Sequence, residues 1–469
     1  MTRSTTDDRT RVERLLGVVT DVAPGEAPLS LTLALNVFLL LTAYYIVKPV
    51  REALILALDS GAEYKSYMSA VIALALLLAV PAYGRFVDRL PRLRLVVGVT
   101  LFFASHLVLF FAASQYEPFR RNLGLVFFVW VGIFNMMVVA QLWSFANDLF
   151  DPEQGKRLFA LVALGASLGA AVGSKVASWL VEPLGVYALL LVSAAVLVLC
   201  AFLFVASERL AVAFRRRSSG PAPAAAHTSL PPRKPREEPP RGAFALVVRH
   251  RYLLAIALFT LVLNWANTNG EYMFGKLVKS AANDALAQGT LGPGGVQAFI
   301  GQAYADFFFL VNLLGVLFQA FLVSRVVKYG STGPALFVLP IVTLGSGLAV
   351  AALPLLAVLR VGKSLENATD YSLTNTVRQM LWLPTSREMK YKAKQAVDTF
   401  FVRLGDVSSA LLVYVGAGLL SWSVRAFAVC NALLALAWLF LAWRIRREGE
   451  HFESPASRTS SAAPATSSG

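Results

Sequence analysis

The apolar stretch from Leu29 to Val50, LSLTLALNVFLLLTAYYIVKPV, decides the class of fold. Lys48 is its one charged residue, and a helix of about 20 apolar residues spans the hydrocarbon core of a bilayer. Stretches of this length recur along the chain, whereas a porin-type barrel has segments of about ten residues with alternating polarity. The sequence therefore predicts an all-α polytopic membrane protein.

The composition of the 469 residues also favours membrane integration. Hydrophobic residues make up 57% of the chain and charged residues 15%, which leaves too little polar surface to cover a soluble globule of this size. The two cysteines, Cys200 and Cys430, lie inside apolar runs. Neither a disulfide framework nor a cysteine-based metal site is therefore expected, and we predict no cofactor.

A hydropathy window of about 19 residues predicts twelve spans in two groups of six. The first six lie at 29–50, 66–86, 93–114, 122–147, 157–182 and 185–206, and the second six at 251–273, 299–323, 332–352, 354–373, 395–420 and 424–443. The expected domains are an N-terminal segment (1–28), a six-helix bundle (29–206), a disordered basic and Pro-rich linker (207–250), a second six-helix bundle (251–444) and a disordered tail (445–469). Within the first segment, residues 9–19 fit either a short amphipathic surface helix or an irregular segment.

Basic residues set the expected orientation of these spans. Of the 43 Lys and Arg residues, 31 lie in the termini and the even-numbered loops, and 7 lie in the odd-numbered loops. The positive-inside rule therefore places both termini in the cytoplasm. The net charge of +15 then reflects topology, and no nucleic-acid partner is expected because the basic linker lacks interleaved aromatic residues.

Span 10 carries the largest set of polar residues at membrane depth. Arg360, Lys363, Glu366, Asn367 and Asp370 are three or four residues apart, so they share one helical face. Each charge at this depth costs at least about 2.5 kcal/mol unless it faces water or a partner. The stripe indicates either the lining of a wet cavity or ion pairs that hold helices together, and both can hold at once.

Other spans also carry ionisable residues. They are Lys48 and Arg51 in span 1, Asp148 at the end of span 4, Lys175 in span 5, Glu271 in span 7, Asp306 in span 8, and Lys394, Asp398, Arg403 and Asp406 in span 11. Cationic side chains suit a multiply charged anion such as a phosphate ester, and acids pair with them when a cavity is empty. For Lys48 and Arg51, snorkelling toward an interface is the alternative.

Further motifs indicate packing rather than catalysis. Gly165, Gly169 and Gly173 form a small-xxx-small ridge that predicts close helix approach in span 5. The run Gly362-Lys363-Ser364 is not a Walker A motif, because Ala357 stands where that motif needs glycine. No nucleophile and base pair is visible, so an enzyme is not expected.

Segment 84–92, GRFVDRLPR, resembles the GxxxDRxxRR signature of major facilitator transporters. In that family the Asp and Arg, here Asp88 and Arg89, are thought to brace neighbouring helix ends. Pro91 stands near the place of the usual glycine. The resemblance implies a major facilitator-like fold of two six-helix bundles.

A second resemblance is to the ATP/ADP translocases of plastids and obligate intracellular bacteria. It rests on QLWSFANDLF (141–150) and GKRLFALVALGA (155–166), and in the second half on YSL (371–373), TVRQM (376–380), Pro384, KYKAKQAVD (390–398) and RLG (403–405). These follow the family's YSL…KEM…P…KxKAAxD…LG order. The resemblance implies nucleotide exchange, with Lys48, Asp148, Glu271 and Lys394 carried over.

The chain departs from that family at three of these positions. Gln379 replaces the acid of KEM, Asp406 replaces a lysine, and Asp148 replaces a glutamate. The charge reversal at Asp406 lies beside the proposed cavity. We therefore expect a shared scaffold, with a substrate that is either a nucleotide or another phosphorylated or anionic solute.

The expected function is secondary transport by alternating access. The alternatives are a major facilitator carrier of a non-nucleotide solute and a non-transporting membrane sensor or assembly factor on the same fold. Expected substrate-binding residues are Lys48, Arg51, Asp148, Glu271, Arg360, Lys363 and Lys394, and expected ion-pair or gating residues are Asp88, Arg89, Glu366, Asp370, Asp398 and Arg403. Expected partners are membrane lipid and a small anionic solute, with no obligate protein partner and no metal, in a bacterial inner membrane.

Overall fold

The structure, a computed structural model, is built of helices. It describes residues 10–16, 20, 22–87, 91–120, 122–218, 243–323, 325, 332–386 and 389–460. Within these ranges no strand occurs, and ten helices are long and apolar enough to cross a bilayer. The predicted all-α polytopic class is therefore confirmed.

The described residues form twelve long helices, numbered here in chain order. The first six are α1 (Ala27–Leu56), α2 (Gly61–Val87), α3 (Arg92–Ser114), α4 (Leu123–Leu149), α5 (Pro152–Leu184) and α6 (Ala188–Ser218). The second six are α7 (Arg251–Ala287), α8 (Gly295–Val323), α9 (Thr332–Ala352), α10 (356–380), α11 (389–419) and α12 (Val424–Ser460). Each predicted span coincides with one of these helices.

Three short helices and two helix extensions lie outside the predicted spans; the first short helix agrees with the helical alternative for residues 9–19, and the last short helix lies in the predicted disordered linker. The short helices are Arg11–Leu16, Glu117–Arg120 and Ala243–Arg249. Helix α6 continues to Ser218, inside the predicted linker, and α12 continues to Ser460, inside the predicted tail. A hydropathy window ends where apolar residues end, but arginine, alanine and glutamate continue a helix readily. The remainder of the linker, 219–242, lies outside the described residues.

Among the described residues, three helices contain π-helical turns, which a period of 3.6 residues does not predict. Helix α8 ends in one, Phe318–Val323, and the others lie in α10 and α11. In α10 they are Asp370–Thr374, and in α11 they are Met389–Ala393, Val397–Phe401 and Tyr414–Leu419. A π turn inserts one residue into the helical register, and such turns are frequent at functional sites. The turns shift the residues that follow them around the helix axis.

The start of α5 illustrates how local sequence sets a helix boundary. Asp151 accepts hydrogen bonds from the main-chain N–H groups of Glu153 and Gln154, and the Gln154 side chain accepts one from the N–H of Asp151. This capping box satisfies N–H groups that have no partner within the helix. Arg157, one turn later, donates to Glu26 at 3.0 Å and so ties the start of α5 to the start of α1.

The chain divides into two compact units whose boundaries differ from the predicted bundles. Unit 1 comprises Met1–Gly61, Leu74–Pro232 and Ala281–Asn312. Unit 2 comprises Ala62–Ala73, Arg233–Ser280 and Leu313–Gly469. The early turns of α2 therefore belong to the unit formed mainly by the second half of the chain, and much of α8 belongs to unit 1.

Polar contacts explain why the early turns of α2 belong to unit 2. Glu63 accepts hydrogen bonds from Tyr272 at 3.2 Å and from Lys276 at 2.5 Å. Lys65 forms an ion pair with Glu271 at 3.2 Å. These contacts hold the start of α2 to α7.

The glycine ridge of α5 packs directly on the main chain of α1, as the sequence predicted. A Cβ atom at position 165, 169 or 173 would lie 2.5, 2.1 or 2.5 Å from the carbonyl oxygen of Ala34, Phe38 or Thr42, respectively. Those distances leave no room for a side chain. Small residues let helix backbones approach closely, which is the main source of packing energy between helices in lipid.

Gly169→Leu therefore tests the close approach of α1 and α5. We expect a lower yield of folded protein and a loss of about 1–3 kcal/mol or more in stability, because the added side chain forces the helices apart. Gly98→Leu is the matched control, since a Cβ at Gly98 of α3 meets no atom within 4 Å. Size-exclusion profiles and thermal unfolding in detergent measure both variants. Equal melting temperatures for the two variants would contradict the packing described here.

Candidate functional site

In unit 1, Lys48 lies among aromatic rings in the interior. Its ammonium is 3.9 Å from the ring centre of Phe308, 5.0 Å from that of Tyr45 and 6.0 Å from that of Tyr44. The residue is 9% exposed, whereas a snorkelling lysine keeps its head group in water. Aromatic faces attract a cation most strongly when it is desolvated. Lys48 is thus an interior positive charge.

Arg51, one turn beyond Lys48, is held by a residue that the sequence analysis did not select. Its guanidinium forms an ion pair with Glu52, whose side chain is fully buried. The same guanidinium lies 4.5 Å from the ring centre of Phe128 on α4. Glu52 compensates much of the Arg51 charge. The helical spacing of three or four residues did not indicate this pair, because Glu52 is the next residue after Arg51.

Lys175 and Asp306 form a polar contact between α5 and α8 within unit 1. Their charged atoms are 4.0 Å apart, and about a third of each side chain is exposed. Ser178 donates to Asp306 at 2.7 Å, and Asn312 donates to Ser174 at 3.3 Å. These contacts explain why the chain as far as Asn312 belongs to unit 1.

Asp148 lies at the end of α4 in a cluster centred on Arg92. Arg92 is 3.6 Å from Asp148 and contacts both carboxylate oxygens of Glu208 at 2.8 and 3.0 Å. Arg92, the last residue of the signature-like segment 84–92, therefore links the start of α3 to the end of α4 and to α6. Asp88 and Arg89, which were predicted to act in this way, lie outside the described residues.

In unit 2, Lys363 of α10 is fully buried and has three oxygen neighbours. Its ammonium is 2.5 Å from Oδ1 of Asn267, 3.2 Å from the main-chain oxygen of Asn267 and 3.4 Å from Oε2 of Glu366. An ammonium has three N–H donors. The pair of Lys363 with Glu366 is one of the (i, i+3) ion pairs that the spacing of span 10 predicted.

Glu271 links α7 to two other helices. One carboxylate oxygen is 3.2 Å from the Lys65 ammonium of α2, and the other accepts a hydrogen bond from Asn367 of α10 at 3.3 Å. Lys65 was missed because it precedes the predicted span by one residue. The remaining span 10 residues, Arg360 and Asp370, are partly buried.

The family-like block at the end of α10 and the start of α11 forms its own polar cluster. Arg378 pairs with Asp398 at 3.2 Å, and Lys394 donates to Gln379 at 2.6 Å. Farther along α11, Asp406 accepts from Thr268 of α7 at 2.9 Å and pairs with Arg403 at 3.2 Å. The acid at 406 is thus compensated by a neighbouring arginine.

Comparison with protein families agrees with the helical membrane fold. The profile of the Major Facilitator Superfamily matches residues 33–383. ADP,ATP carrier protein 1 of Chlamydia muridarum is 24% identical over 71% of this chain and 68% of its own length. The protein of that name from Chlamydia trachomatis is 24% identical over 67% of this chain and 62% of its own length.

Solved structures with a similar fold are membrane transporters. The nucleoside transporter NupG has a TM-score of 0.59 at 14% identity, covering 89% of this chain and 99% of its own. A bacterial homologue of the iron transporter ferroportin, in an inward-facing state, has a TM-score of 0.59 at 13% identity. The match covers 89% of this chain and 98% of the homologue. At these identities the likeness concerns the fold.

A double-mutant cycle tests the interior pair of Lys65 and Glu271. We expect Lys65→Met to destabilise the protein and the double variant Lys65→Met, Glu271→Gln to recover part of the loss, with a coupling of about 0.5–3 kcal/mol. Glu63 and Lys276 provide the matched pair, because the Lys276 side chain is 47% exposed and exposed pairs contribute at most about 1 kcal/mol. Thermal unfolding in detergent measures both cycles. Equal coupling in the two cycles would argue against a special role for the buried pair.

Proposed function

Because this chain belongs to the Major Facilitator Superfamily, we propose that it is a secondary carrier of a phosphorylated or otherwise anionic solute. Transport would proceed by alternating access, as two bundles rock around a central site. A nucleotide is the leading candidate for the solute, exchanged for a second nucleotide across the membrane. The observation that carries this proposal is the similarity to chlamydial ADP,ATP carriers over 71% of the chain.

The charge of the interior residues supports an anionic substrate. In unit 1, Lys48 places a positive charge beside three aromatic rings. In unit 2, Arg360 is partly buried and Lys394 is held by the neutral amide of Gln379. Phosphate oxygens form their strongest hydrogen bonds with such cationic donors, and aromatic faces suit a planar base.

Three further predicted substrate residues lie beside residues of opposite charge in their own unit. Arg51 pairs with Glu52, Asp148 lies near Arg92, and Glu271 pairs with Lys65. We propose that these three position helices around the substrate, and that Lys48, Arg360 and Lys394 contact its phosphates. The ammonium of Lys363 is surrounded by three oxygen atoms of the protein, so we do not assign it to the substrate.

A carrier of a non-nucleotide anion is the second candidate. It is favoured by Asp406 and Gln379, where the chain departs from the nucleotide carriers that it resembles. Asp406 is compensated by Arg403 and Thr268, so the reversed charge is stable inside unit 2. A site with this charge difference suits a substrate with fewer phosphates.

The proposed setting is a bacterial inner membrane with both termini in the cytoplasm. The support is the excess of basic residues in the termini and the even-numbered loops. In this setting lipid surrounds the spans. The carrier exchanges an anion from the cytoplasm for a related anion from outside.

Lys48→Gln and Lys394→Gln test the anion site. We expect each to weaken the apparent affinity for an anionic substrate about ten- to hundredfold, because a charge-assisted hydrogen bond contributes about 1.5–3 kcal/mol. The measurement is counterflow uptake in proteoliposomes against a panel of nucleotides and other phosphate esters. Arg425→Gln removes an exposed charge at the start of α12, and we expect little change. Unchanged affinity in both lysine variants, with loss of transport in Glu271→Gln, would instead support a cation- or proton-coupled carrier of a neutral solute.

Single-cysteine labelling tests the orientation. In a chain with Cys200 and Cys430 replaced by serine, Ser219→Cys in the linker should react only from the cytoplasmic side. Gln288→Cys, in the exposed connection between α7 and α8, should react from outside intact cells. The reverse labelling pattern would invert the proposed topology.

A further inference from the structure

The environment of Lys363 is a small cage of oxygen atoms inside unit 2. The cage consists of Oδ1 and the main-chain oxygen of Asn267 and Oε2 of Glu366, at 2.5, 3.2 and 3.4 Å from the ammonium. The lysine side chain is 0% exposed and that of Glu366 is 7% exposed. The ammonium is therefore removed from water and solvated by the protein.

The order of these distances separates a cage from a simple ion pair. In a simple ion pair the carboxylate is the nearest partner, because opposite charges provide the attraction. Here the nearest atom is the neutral amide oxygen of Asn267, and the carboxylate of Glu366 is the most distant of the three. The oxygen atoms thus surround the cation as ligands surround a bound ion.

Gly270 leaves the space that the ammonium occupies. A Cβ at this position would lie 3.2 Å from Nζ of Lys363 and 3.3 Å from its Cε. Gly270 follows Asn267 by three residues, so both lie on the same face of α7. One face of α7 therefore supplies two of the oxygen atoms, through Asn267, and the space for the ammonium, through Gly270.

Two acids lie near the cage: Asp370, whose charge interacts with those of Lys363 and Arg378, and Glu271, whose charge interacts with that of Glu366. Glu271, on the next turn of α7, pairs with Lys65 at 3.2 Å and accepts from Asn367 at 3.3 Å. Within the cage, one ammonium faces one carboxylate. Removing the ammonium would leave Glu366 and two further oxygen atoms around a buried space with a net negative charge.

We propose that the ammonium of Lys363 is a tethered substitute for a monovalent cation in an interior cation site. Oxygen atoms also coordinate the bound cations of other transporters, where unwound main chain supplies them; here an Asn side chain, a main-chain oxygen within helix α7 and a carboxylate supply them. A tethered cation is always present and needs no gradient. Substrate exchange by this chain then proceeds without a coupling cation, a consequence that rests on the proposed function.

Lys363→Ala empties the cage and tests the site without any substrate. We expect a lower melting temperature for the purified variant in detergent than for the unchanged chain. Methylammonium should then raise it saturably, by about 2 °C or more relative to choline at equal ionic strength, because a ligand stabilises the folded state to which it binds. Sodium and potassium are tested in the same way.

Two controls separate the cage from general salt effects. Lys276→Ala removes a half-exposed lysine from its pair with Glu63, and we expect no difference between methylammonium and choline. The double variant Lys363→Ala, Glu366→Gln lacks the carboxylate of the cage, and we expect it to lose the cation response.

Three results would overturn the proposal. The first is an equal response of Lys363→Ala to choline and to the smaller cations. The second is an equal response of the unchanged chain to methylammonium. The third is full recovery of Lys363→Ala on lowering the pH from 7.5 to 5.5 without any added small cation, since Glu366 would then be neutralised by a proton rather than by a bound ion.

Lys363→Ala protein that fails to accumulate in cells can still be tested. Cells then produce the variant in medium that contains methylammonium or choline. Recovery of folded protein with methylammonium but not with choline supports the site, and no recovery with either overturns it. None of these measurements depends on the transported solute. Failure of nucleotide counterflow would therefore count against the proposed function and leave the cation site standing.

Discussion

Charged side chains inside hydrocarbon require compensation, and this requirement organises both units of the protein. An isolated ion is costly at membrane depth, whereas a paired and hydrogen-bonded ion is tolerated. Among the described residues, interior pairs include Arg51 with Glu52, Lys175 with Asp306, Lys65 with Glu271, Lys363 with Glu366, and Arg403 with Asp406. The first, fourth and fifth of these join residues of one helix, and the other two join different helices.

The pairs between helices have a structural consequence beyond local stability. Lys65 holds the early turns of α2 to Glu271 of α7, and Asp306 holds the first part of α8 to Lys175 of α5. As a result, the early turns of α2 belong to unit 2, which the second half of the chain mainly forms, and the first part of α8 belongs to unit 1, which the first half mainly forms. Elsewhere the apolar contacts dominate, as in the direct packing of Gly169 against the main chain of Phe38.

The same requirement distinguishes two kinds of interior cation. Lys363 is surrounded by oxygen atoms of its own unit, and its charge is stabilised by these oxygen atoms. Lys48 is packed among aromatic rings, which attract a cation through their faces. Lys394 is bound by a neutral amide. The anionic solute of the proposed function would add a further partner for Lys48 and Lys394.

The sequence alone determined the helical class, the positions of the twelve long helices and the glycine ridge of α5. These features depend on properties of neighbouring residues, namely the length of apolar runs and the recurrence of glycine every four residues. The (i, i+3) pair of Lys363 and Glu366 was predictable for the same reason, since both residues lie on one helical face.

The tertiary structure alone decided which distant groups meet. Lys65 and Glu271, Arg92 and Glu208, and Lys363 and Asn267 are each separated by many residues, so helical spacing holds no information about their contact. The π turns of α10 and α11 also escaped prediction, because a single inserted residue changes which side chains share a face without changing the hydropathy. Partner choice depends on how helices pack, and packing is a property of the whole chain.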